Sequence, residues 1–110
     1  LRAVPRAMLM RSGFEAVAAL IDELGVLMPD TFFFDGPPEP AATADFWNQR
    51  LESLPAGVSE VLVHAGYDDP ELRACCPKWE QRVADHRFFT SAATQRRLRE
   101  LDITLVGYRA

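Results

Sequence analysis

The chain has 110 residues, enough for one small domain or a piece of a larger one. It is 48% hydrophobic and 25% charged, a globular composition that excludes dominant disorder. A formal net charge of -4 argues against a nucleic acid or an anionic membrane surface held by bulk electrostatics.

No apolar run approaches the roughly 18 to 20 residues that cross a bilayer, so no membrane partner is expected. The stretch "LRAVPRAMLMRSG" lacks a long apolar block with a small-residue cleavage site and is not read as a signal peptide. A first residue of Leu1, not Met, predicts a cut-out from longer sequence. Next, "RSGFEAVAALIDELGV" reads as a helix. Ser12 and Glu15 form a capping box, which satisfies two orphan amide donors. Phe14, Val17, Leu20, Ile21 and Leu24 then share one apolar face, and Gly25 stands where a left-handed cap belongs.

"DTFFFDG" is aromatic and β-branched between turn signals, which predicts a strand or extended segment. "PPEPAA" has three prolines in four residues and reads as a loop. A second helix fits Ala44 to Leu54, with Thr43 as its cap and Asp45 in the positive first turn. Pro55 and Gly57 close it. "SEVLVHAG" is the clearest strand, and the run Val61, Leu62, Val63 suits burial on both faces.

"YDDPELRACCP" reads as a loop with room for one helical turn after Pro70. "KWEQRVADHRFF" carries an apolar stripe at Trp79, Val83 and Phe88 and reads as a helix. Thr90 or Ser91 caps a last helix to about Leu101, and "DITLVGY" reads as a terminal strand. Helices alternating with strands predict an α/β fold of about three mostly parallel strands with four helices. So few parallel strands normally want more neighbours, which predicts a fragment. The two cysteines, Cys75 and Cys76, are adjacent, and a bridge between neighbours is strained. Free thiols in a reducing cytoplasm are expected.

The ordered segments "MPDTFFFDG", "LPAGVSEVLVHAGYDDPELR" and "WEQRVADHRFFTSAATQRRLRELDITLVGY" resemble the C-terminal portion of the YdjC-like carbohydrate deacetylases, which include chitooligosaccharide deacetylases. The resemblance runs from about Met28 to Tyr108. It rests on a Pro-Asp-x-Phe segment, a helix ending Leu-Pro-x-Gly, a strand ending in a His-x-Gly-Tyr turn, a following arginine and a final helix and strand. It implies the C-terminal β/α units of a (β/α) barrel-like deacetylase, with residues 1–110 as one domain or fragment. It also implies hydrolysis of an N-acetyl group on a small amino sugar or oligosaccharide, using a divalent metal, Mg or Zn. The family's metal ligands lie in its N-terminal half, and their motifs are absent here. The segment alone is therefore expected to bind no metal and to be inactive, with a missing N-terminal half or a homodimer as its partner.

Residue by residue, the resemblance matches His64 to the histidine of a His-Pro-Gly turn, with Ala65 in place of the proline. Gly66 matches, Arg82 matches an arginine after the turn, and Asp102 replaces a glycine before the last strand. Amide hydrolysis needs a nucleophilic water, a stabilised oxyanion and a proton for the leaving amine. An imidazole at the carboxyl end of a parallel strand suits the last task, making His64 the candidate catalytic residue. Gly66, Tyr67, Asp68 and Arg82 are the candidate substrate-binding residues. All but Gly66 have a structural alternative. His64 can end a strand and bond a neighbouring loop, and Asp68 and Asp69 can open a helical turn. Tyr67 can pack on the core, and Arg82 can be a surface arginine that shares a helix face with His86. Cys75 is either a nucleophile or an inert thiol. Arg96, Arg97 and Arg99 read as a solvated face with Glu100. The competing function is a small non-catalytic α/β domain that binds a partner or dimerises.

Overall fold

A computed structural model describes residues 15–26 and 28–107. The described residues hold helices α1 (Glu15–Glu23), α2 (Thr43–Glu52), α3 (Pro70–Cys75), α4 (Trp79–Thr90) and α5 (Ala92–Glu100). Strands β1 (Thr31–Phe33) and β2 (Ser59–Val61) and a 3-10 turn at Pro40–Ala42 complete them. The fold is thus mixed helix and sheet. The strands pair in parallel, in the register Thr31↔Ser59, Phe32↔Glu60, Phe33↔Val61. Among the described residues, no helix is long and apolar enough to cross a membrane.

Two compact units share the chain, and each takes two segments. The first holds the residues up to Gly36 and Leu54–Val63. Its parallel pair opens with a clamp across the strands: the Val58 amide donates to Asp30 Oδ2 at 2.8 Å, and the Asp30 amide donates to the Val58 carbonyl at 2.8 Å. Gly57 sits at φ +110° with its Cα against Asp30, where a Cβ would come 2.5 Å from Oδ2. Phe33 is buried and Ala18 is the buried residue of α1. Gly25 takes φ +62°, so α1 ends in the left-handed cap its sequence predicts. The proposed cap Ser12 and the face residue Phe14 lie outside the described residues. The rest of that apolar face stays largely open, with Val17, Leu20 and Leu24 exposed. Leu62, expected inside a strand covered on both faces, is also exposed.

The second unit holds Pro37–Ser53 and the residues from His64 onward. Trp47 of α2 is its most deeply buried large side chain, 1% exposed. Its indole meets Phe46 edge-on at 4.9 Å and Phe89 of α4 at 5.1 Å. Its Nε1–H donates to buried Asp85 of α4 at 2.8 Å, so the polar end of the ring is satisfied inside the core. Leu51, Val83 and Leu98 complete the buried apolar set.

Four expectations change. The proline run is not wholly a loop: Pro40 opens a 3-10 turn, where a missing N–H costs nothing at the first position. Thr43 does not cap α2. Its backbone is already helical at φ -57° and ψ -49°, and its buried hydroxyl accepts from Gln81 Nε2 at 2.9 Å. The terminal run is no strand from Ile103 to Gly107, and Tyr108 lies outside the described residues. Asp102 turns the chain at φ +54°, and Leu105 and Val106 follow exposed, with no ladder partner among the described residues. The helical turn after Pro70 is formed as α3, so the described residues hold five helices where four were expected.

Candidate functional site

The second unit carries the His64–Asp69 loop and the two helices behind it. The last sheet bond before the loop is Leu62 N–H to the Phe33 carbonyl, 2.8 Å. His64 follows two residues later, exposed, with no hydrogen bond or ion pair among the described residues. Its ring is open to solvent, and the alternative of a histidine bonded to a neighbouring loop is not what the structure forms.

Gly66 fastens the loop to α4. Its amide donates to the Arg82 carbonyl at 3.1 Å. A Cβ here would stand 2.9 Å from Leu72 Cδ2 and 3.4 Å from Arg82 Cβ. Close approach therefore favours glycine here, where it packs the loop against Leu72 and Arg82. Tyr67 is 73% exposed and lays its ring against His86, centroids 4.5 Å apart and planes 54° apart. It is neither a core residue nor a free platform on both faces.

The two carboxylates have separate partners. Asp69 caps α3, accepting from the Leu72 amide at 2.7 Å. Asp68 Oδ1 accepts from Arg73 Nε at 2.7 Å and Nη2 at 2.6 Å, and Arg87 Nη2 stands 3.6 Å from Oδ2. The Arg73 guanidinium also lies over the Trp79 ring, 4.6 Å from its centroid. Asp68 is thus neutralised by arginines and does not orient His64.

Arg82 is half-buried, and its Nε–H donates to Cys76 Sγ at 2.9 Å. That bond lowers the Cys76 thiol below its ordinary value. Desolvation works against it, while the Lys78 amide and the charges of Arg82 and Lys78 work with it. Arg82, a candidate substrate-binding residue, is thus bonded to Cys76, and the more reactive thiol environment belongs to Cys76 and not to Cys75. The available signal was Cys76-Pro-Lys at the start of a helix, a setting that favours a thiolate. Arg97 of the arginine cluster pairs with Glu100 at 3.2 Å and with Glu52, and these bonds raise it above its usual range. The expected solvated face with Glu100 therefore also reaches α2.

The described residues do not fit the divalent metal that the resemblance implies. Among them no group of three or more His, Cys, Asp or Glu side chains is placed to hold an ion. Asp68 and Asp69, the carboxylates nearest His64 in the chain, already serve Arg73 and the α3 cap. No family model matches this chain, and no curated protein matches it.

Proposed function

We propose that the chain contributes one lip of a carbohydrate site in a deacetylase that removes N-acetyl groups from amino sugars, as its resemblance to the YdjC-like family implies. The observation that carries this reading is His64. It is an exposed imidazole with no partner among the described residues, three residues past Val61, the end of β2. Such a group is free to give a proton to a leaving amine. Tyr67, backed by His86, offers one open ring face to a sugar. Asp68 and Arg82 act behind this lip, since their charges are spent on Arg73 and Cys76. On this reading the parallel pair belongs to a (β/α) barrel-like domain, and the groups that activate water come from outside the described residues. Free Cys75 and Cys76 suit a reducing cytoplasm.

Titration of the 110-residue chain with chitobiose, followed by nuclear magnetic resonance, should move the His64 and Tyr67 ring signals together. Signals that stay still at saturating sugar overturn the reading. In the full-length protein, His64→Ala should slow deacetylation by about 10²- to 10⁴-fold, the usual cost of a lost acid-base group.

The second reading, a non-catalytic association module, is favoured by the exposed Val17, Leu20 and Leu24 of α1.

A further inference from the structure

We propose that Cys76 is the more reactive of the two thiols and a site of oxidation by small hydroperoxides, with Arg82 as its activating partner. The proposal does not rest on the carbohydrate reading. Two adjacent thiols stand in opposite surroundings. The Cys75 S–H points at the Leu72 carbonyl, 3.8 Å away, a contact only the protonated thiol can make. The Cys76 sulfur instead accepts from a guanidinium N–H at 2.9 Å, a bond that strengthens when the sulfur is anionic. The lowered Cys76 thiol agrees with that geometry.

The backbone on either side of the sulfur is fixed. The Cys76 amide donates to the Leu72 carbonyl at 3.0 Å, and the Trp79 amide donates to the Cys76 carbonyl at 3.1 Å. Arg82 is anchored in turn, its amide on the Lys78 carbonyl and its carbonyl on the Gly66 amide. Cys76 lies three residues before Trp79, the first residue of α4, a helix of 12 residues. Cys76 remains partly exposed, so a small oxidant has access. Arg82 is thus a positioning and charge-stabilising residue for this thiol.

The chemistry balances without any further group. The Cys76 thiolate attacks the hydroxyl oxygen of a hydroperoxide; the S–O bond forms as the O–O bond breaks. The departing alkoxide, or hydroxide from hydrogen peroxide, takes a proton from water. Sulfur loses two electrons and the peroxide gains them, leaving Cys76 as a sulfenic acid. Cys75 is poorly placed to resolve it. Adjacent Cα atoms lie about 3.8 Å apart across a trans peptide, below the roughly 4.4 Å that ordinary disulfides need. The sulfenic acid should persist long enough to be trapped.

The experiment treats the folded chain with limiting hydrogen peroxide in the presence of dimedone and maps adducts by peptide mass spectrometry. Adducts should fall on Cys76 well ahead of the more exposed Cys75, and Arg82→Gln should erase the preference while circular dichroism stays unchanged. Iodoacetamide labelling of the wild type against pH supplies a second readout. The Cys76 rate should rise at lower pH than that of Cys75, and the two should coincide in urea. Each unit of separation gives about a threefold net rate advantage, because thiolate population rises faster than nucleophilicity falls. Equal or faster reaction at Cys75 in the folded chain overturns the proposal. So do coincident pH profiles before unfolding, which decide the matter even where Arg82→Gln fails to fold.

Discussion

Asp68 and Asp69 are neighbours with different work, and each partner follows from local chemistry. Asp69 precedes a proline and points at the free amide of Leu72, so its capping role is legible in Asp-Pro-x-x alone. Asp68 meets Arg73 and Arg87, one of them a helix away, and no local rule predicts that pair. Its exposed ion pairs contribute about 0 to 1 kcal/mol each. Gly66 shows the same division. Its place in a turn is visible in the sequence, whereas its contact with Leu72 and Arg82 exists only after folding. Gly66→Ala should destabilise the chain by about 1 to 2 kcal/mol in urea unfolding, because the added methyl meets the flexible tip of Leu72 and the stiffer Cβ of Arg82. An unchanged midpoint would show that the loop shifts freely. Cys76 adds a pH effect whose sign follows from its lowered value. The folded state favours the thiolate, so the stabilisation is complete above the ordinary thiol range and is lost as pH falls through the lowered value. The urea midpoint of the wild type should therefore gain on that of Cys76→Ser as pH rises, and a gap that is flat or shrinking would contradict the pairing.

The helices were readable because their signals are local. Trp79 to Thr90 follows an apolar stripe, and Ser91 caps α5 through a 3.1 Å bond from the Thr94 amide. Ser91→Ala should cost about 1 kcal/mol, measured by thermal or urea unfolding, with Ser91→Asp recovering most of it. Equal stability of Ser91→Ala and wild type would mean that the Thr94 hydroxyl, 3.0 Å from Ser91 Oγ, takes over the capping. The terminal strand was misread for the opposite reason. "DITLVGY" has strand composition, but a strand exists only if a neighbour accepts its hydrogen bonds. Thr43 failed as a cap through tertiary override: the Gln81 side chain reached its hydroxyl across 38 residues and drew it into the helix. His64, expected at the end of a strand, instead lies in a loop three residues past Val61, because the last rung of the sheet is Leu62 N–H to the Phe33 carbonyl.

At the scale of the whole molecule, charge and apolar exposure pull in different directions. A net charge of -4 disfavours close approach of two copies, while Val17, Leu20, Leu24 and Val26 expose apolar surface in the first unit. If the association reading is right, sedimentation velocity should show a dimer that grows with concentration and with salt, and Leu20→Lys with Leu24→Lys should return it to monomer. A monomer at every concentration removes that reading and leaves the carbohydrate one untouched. The parallel register has a consequence for how the chain must fold. Asp30 and Val58 meet across 28 residues, and the segment between them includes all of α2, which belongs to the other compact unit. Closing such a loop costs about 3 kcal/mol of chain entropy before the first rung forms. Both units are therefore discontinuous in sequence: no single cut isolates either one, and the two-stranded sheet must await long-range closure while the helices can begin to form from local contacts.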